Sequence, residues 1–112
     1  MGSSFYVSAD REDGAEWTFT DDELSACVTR LWPGSRITHA DSGGILEMSV
    51  QQGGQVHPFA WQTGHRVLTY PDQEPLDGAD RIVRRLLRAL APGVRAVRWA
   101  DHDATPEPVD LR

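Results

Sequence analysis

Residues 36–70 read RITHADSGGILEMSVQQGGQVHPFAWQTGHRVLTY, and this stretch decides the fold class. Its short runs, Arg36–Ala40, Ile45–Val50, Gln55–Gln62 and Arg66–Tyr70, are separated by Ser42-Gly43-Gly44, Gln52-Gly53-Gly54 and Gly64. Apolar and polar residues alternate in the runs, the period of a strand whose side chains point to opposite faces. The glycines between them supply the backbone freedom that hairpin turns need. Together these signals predict an antiparallel meander. Pro58 has no amide donor, so the third run is expected at a sheet edge, or bulged at that point.

Upstream lies a helix with clear ends. Thr20-Asp21-Asp22-Glu23 has the form of a capping box, and Leu24, Cys27, Val28 and Leu31 follow at the spacing of one buried stripe. Pro33-Gly34 stops it, so the spacing predicts a helix over residues 21–32. Before it, Phe5, Val7 and Ala9 alternate, as do Trp17 and Phe19 with Glu16 and Thr18. The charged turn Asp10-Arg11-Glu12-Asp13-Gly14 between them predicts an N-terminal hairpin.

Downstream, Pro71-Asp72-Gln73-Glu74-Pro75 is a rigid polar link. A second amphipathic helix is predicted from Asp77 or Asp80 to Ala91, stopped by Pro92-Gly93, and a last strand over Val94–Trp99. Residues 101–112, acidic and proline-bearing, read as a flexible tail on a single domain of residues 1–100. The order β-β-α-β-β-β-β-α-β predicts an α+β fold. It has one antiparallel sheet of about five to seven strands, with two helices packed on one face.

The chain has 112 residues, room for one modest core. Eleven basic residues, all arginine, stand against seventeen acidic ones for a net charge of −6. That sign disfavours nucleic acid and anionic membrane as partners, since both are held by cationic surface. The longest apolar run is far short of the ~20 residues of a membrane span. Met1–Tyr6 has neither the basic nor the apolar region of a secretory leader, so a cytoplasmic location is expected. Cys27 is the only cysteine, which excludes an internal disulfide and a cysteine-based zinc site. No cofactor and no metal are expected.

The most orderly functional feature is the second helix. Ile82, Val83, Leu86, Leu87 and Leu90 form its apolar side, and Arg81, Arg84, Arg85 and Arg88 repeat at helical spacing on the other. The plain account is a solvated face, with Asp77 and Asp80 placed four residues before Arg81 and Arg84 to pair with them. The sharper account is a face that docks an acidic partner.

A different reading starts from the histidines. Strand parity puts His39, His57 and His65 with the apolar positions of their runs, and Phe59 and Trp61 beside His57. Converging, they would line a pocket for a small molecule or a small enzyme's substrate, without the spacing of a metal site. His39 with Asp41, and His102 between Asp101 and Asp103, place carboxylates next to imidazoles, the elements of a general base. Adjacent strand residues point to opposite faces, however, and surface triplets of this kind are common. Cys27 falls in the apolar stripe of the first helix and reads as a buried, unreactive thiol. Trp17, Trp32, Trp61 and Trp99 read mainly as core-closing residues. No motif specific to a chemistry is present. The sequence therefore favours a non-catalytic protein-interaction domain, with the pocket as alternative and a homodimer compatible with both.

Overall fold

The protein is described by a computed structural model over residues 3–39, 44–72 and 76–111. The chain runs β1 (Ser4–Ala9), a 3-10 turn (Arg11–Asp13), α1 (Asp21–Leu31), β2 (Arg36–His39), β3 (Ile45–Gln52), β4 (Gln55–Gln62), β5 (Val67–Pro71), α2 (Leu76–Leu90), β6 (Ala96–Ala100) and β7 (Asp103–Pro108). All seven strands join one antiparallel sheet in the order β2-β3-β4-β5-β1-β6-β7. The fold is α+β, as the sequence predicts.

The meander forms because its local signals agree. Gly53 and Gly54 turn β3 into β4 at φ +61° and +78°, where a side chain would be strained. The register then sets Leu46 opposite Trp61, Met48 opposite Phe59 and Val50 opposite His57, so one face of the pair is apolar. That face continues through Leu68 of β5 and Val7 of β1. Both helices cover it. Leu24, Cys27 and Val28 of α1 and Ile82, Val83, Leu86 and Leu87 of α2 are buried in the same core. The capping box forms in full: Glu23 N–H donates to Thr20 Oγ1 and Thr20 N–H to Glu23 Oε1, each at 3.1 Å.

Three expectations need correction. Trp17 and Phe19 are not in a strand, and there is no N-terminal hairpin. Their alternation reflects burial instead: both rings pack on Trp61, at centroid distances of 5.9 and 5.2 Å. The neighbours of β1 are β5 and β6.

Residues 103–108 are not a free tail but the edge strand β7, paired to β6 through Val97–Pro108, Arg98–Glu107 and Ala100–Asp103 with an irregularity between. Its residues are all exposed, so no apolar alternation announces it, and its prolines suit an edge. Val109 and Leu111 then fold back against the core.

Pro58 does not mark a sheet edge, since β4 lies between β3 and β5. The β4–β5 ladder covers only Ala60–Thr69, Trp61–Leu68 and Gln62–Val67, so β5 parts from β4 before Pro58 is reached. The missing donor is accommodated inside the sheet by a local gap. Among the described residues, no helix is long and apolar enough to cross a membrane.

Candidate functional site

The arginine stripe of α2 is divided by its surroundings. Asp80 does not pair with Arg84. Its Oδ1 accepts from Arg98 Nη1 of β6 at 2.9 Å and from the Tyr70 hydroxyl at 3.4 Å, while the Arg98 guanidinium lies 4.6 Å over the Phe5 ring. Burial pushes the Tyr70 hydroxyl up, opposed by its hydrogen bond with Arg98. For Arg98, burial works against the charge. The Tyr70 hydrogen bond, with the charges of Asp80 and Glu107, outweighs it and holds the guanidinium above its usual range.

Arg84 is half-buried and its Nε has no acceptor among the described residues. It lines a cavity of about 150 Å³ with Tyr70, Val83 and Val109. The fold-back of the C-terminal segment therefore takes Arg84 out of the exposed stripe.

Arg81, Arg85 and Arg88 remain exposed. Arg85 lies 5.4 Å over the Trp32 ring, beyond the end of α1. The ion pairs among the described residues are Arg95–Asp10 and Arg98–Asp80, so none of these three has a carboxylate partner there. Arg30 of α1 joins them: it donates to Cys27 Sγ at 3.8 Å. Burial pushes the Cys27 thiol up, and the charges of both Arg30 and Arg85 oppose this, which sets the two arginines on either side of the helix seam. The exposed charges of the helical layer are thus Arg30, Arg81, Arg85 and Arg88 against Asp22, Glu23 and Asp77 in the first turns of the helices.

The histidines do not converge. His57 is buried beneath α2, so close that a Cβ on Gly78 would stand 2.5 Å from its Cε1. His39 is exposed at the end of the edge strand β2, opposite Leu46. It shares a cross-strand row with Trp61, four residues and so about 13 Å along β4 from His57. His65 is exposed in the β4–β5 turn, three residues past Gln62 at the Trp61 end of β4, away from His57. Phe59 packs on Tyr70 at 5.3 Å, inside the core. Asp41 lies outside the described residues.

Asp101 and His102 form the exposed β6–β7 turn, and Asp103 opens β7. The Tyr6 hydroxyl and the Ser4 amide hold the Asp101 carboxyl below its usual range, and the Thr105 amide does the same for Asp103. The carboxylates thus fasten the turn. Among the described residues no group of three His, Cys, Asp or Glu side chains could hold a metal ion.

One concavity escapes the sequence. Ala9, Arg11, Glu16, Trp17, Gly64, His65 and Arg66 line a cleft of about 370 Å³ beside the β4–β5 turn. Arg66 is the only non-glycine residue at positive φ among those described, at +54°, a conformation that costs on the order of 1–2 kcal/mol. Its guanidinium donates to the Phe19 carbonyl and lies 5.4 and 5.6 Å over the Phe19 and Trp61 rings. Behind the rings, Asp21 accepts from Trp61 Nε1 at 2.9 Å and from the Thr63 hydroxyl at 2.7 Å. The neighbouring glycine gave the turn a plain explanation, so nothing in the sequence singled out Arg66.

No family model matches the chain, and neither the curated proteins nor the solved structures contain a match to it.

Proposed function

We propose that the chain is a non-catalytic docking domain that binds an acidic segment of a protein partner across the outer surface of α1 and α2. The observation that carries this reading is that Arg81, Arg85 and Arg88 stand exposed with no carboxylate partner among the described residues. Exposed guanidiniums on a protein of net charge −6 create a local potential opposite to that of the remaining surface. Arg81 to Arg88 spans about 10 Å of helix, the reach of roughly three extended residues. Planar guanidiniums can grip carboxylates in pairs of parallel hydrogen bonds, giving orientation as well as attraction.

The test compares wild type with Arg81→Glu/Arg85→Glu/Arg88→Glu as immobilised baits, after circular dichroism shows both folded. Arg84 is left unchanged because its burial would mix stability with binding. The reading expects a partner retained by wild type, lost by the variant, and bound through an acidic segment when the purified pair is reconstituted. Equal retention of every partner by both baits, or a reconstituted contact that lies elsewhere, removes it.

A further inference from the structure

We infer that the protein forms a two-fold dimer in which the outer faces of two sheets pack on each other. Both helices lie on one face of the sheet, and no described helix or strand covers the other. Side chains alternate along each strand, so the register puts Ile45, Val56, Ala60, Tyr6, Val97 and Trp99 on the uncovered side. At the outward positions of β1 to β6 only Arg36 and Glu47 are charged, in a chain whose charged fraction is 25%. A sheet face kept for water is ordinarily polar. Loss of charge from a surface is instead the mark of the buried centre of an interface.

Shape selects a second copy as the occupant. One cross-strand row runs Ala60, Thr69, Tyr6, Trp99 through β4, β5, β1 and β6. Its first half is small and its second half aromatic. Ala60 and Thr69, with Ser4, Ser49, Pro58 and Pro71, line a hollow of about 290 Å³. Beside it the half-buried Tyr6 and Trp99 rings stack at 5.7 Å, and the Tyr6 hydroxyl donates to Asp101. This aromatic ridge is thus fixed before a partner arrives, which lowers the entropy lost on association. A two-fold axis along the strands between β5 and β1 sets Ala60 of each copy against Trp99 of the other, and Thr69 against Tyr6. Each ridge then enters the hollow opposite it. The two sheets also share one twist, as aligned sheet packing requires. The contact takes in six strands of each copy, β3 to β7 with β1. At about 4.8 Å between strands and about 20 Å of strand, it covers roughly 600 Å² per copy. The total, about 1,200 Å², is at the lower end for specific interfaces and fits a micromolar dimer.

Sedimentation equilibrium of the full chain, from about 1 μM to about 1 mM, tests the dimer. The expected result is a monomer–dimer equilibrium. Ala60→Lys fills the hollow and Trp99→Ala removes the ridge, so each should raise the dissociation constant at least about tenfold. Circular dichroism checks that both fold, and Ala60→Lys decides alone if the loss of the indole unfolds the chain. The amides of Arg36 and Thr38 are turned toward β3, and those of Ile37 and His39 toward the free edge. His39→Pro therefore blocks pairing along that edge and should leave the dimer intact. A monomer at every concentration overturns the dimer. So does a dimer unchanged by the face variants, and its loss with His39→Pro would place the contact on β2. The charge-reversed α2 variant should dimerise normally, because its arginines lie on the opposite side of the molecule, so this dimer and the docking surface stand or fall separately.

Discussion

His57 and Gly78 illustrate how one small residue permits another. The imidazole occupies the volume that a side chain at position 78 would need, since a Cβ there lies 2.5 and 2.7 Å from its Cε1 and Nε2. Gly78→Ala is expected to destabilise the protein by about 1–3 kcal/mol, the usual cost of overpacking. In a His57→Ala background the same change should stabilise by up to about 1 kcal/mol, because alanine is the better helix former and the clash has gone. Urea unfolding of the four proteins of this double-mutant cycle checks the change of sign. At this scale the sequence was readable wherever a side chain acts on its own backbone, as Thr20 and Glu23 do in the capping box. It was silent on His57 and Gly78, whose meeting depends on where α2 crosses β4. The same holds for Arg66, whose aromatic neighbours Phe19 and Trp61 come from two other segments.

The elements whose signals are local were legible, and those defined by a distant neighbour were not. The capped α1 and the glycine-turned β3–β4 hairpin were recognisable from within their own sequence. β7 was not, because an exposed edge strand carries no buried face to set a period. Its position is fixed partly by the turn before it. There Asp101 Oδ2 accepts from the Ser4 amide at 3.0 Å, and the Tyr6 ring stacks on Trp99 at 5.7 Å. Because the Asp101 carboxyl is held low in the folded state, its ionisation favours folding above the ordinary carboxylate range near ~3.9. That contribution is lost as pH falls through the lower, folded value. Between about pH 5 and pH 3 the melting temperature of wild type should therefore fall more steeply than that of Asp101→Asn. Parallel curves in differential scanning calorimetry would show that the turn does not depend on this charge.

Across the whole molecule, the radius of gyration is 13.2 Å, about what a compactly folded chain of this length gives. Cys27 reports on that packing. It is 3% exposed, with a thiol that burial pushes up, so a thiol reagent should reach it only when the core opens. Its labelling in rising urea should track loss of tryptophan fluorescence, and labelling that runs ahead of it would reveal a separate opening of the helical layer. The strand order was the least legible property of all. Composition and periodicity mark most of the strands, but the placement of β1 between β5 and β6 depends on contacts more than sixty residues away. That placement bears on how the protein is made. During synthesis Ser4–Ala9 leaves the ribosome well before its two neighbours, Val67–Pro71 and Ala96–Ala100. The half from β2 to β5 joins strands adjacent in sequence and can assemble as it appears. The other half cannot close until Ala100 has been translated. The nascent chain therefore carries β1 unpaired until Val67–Pro71 has emerged, and with its other edge open until Ala96–Ala100 follows. A ribosome that stops before that codon releases a chain with no completed sheet.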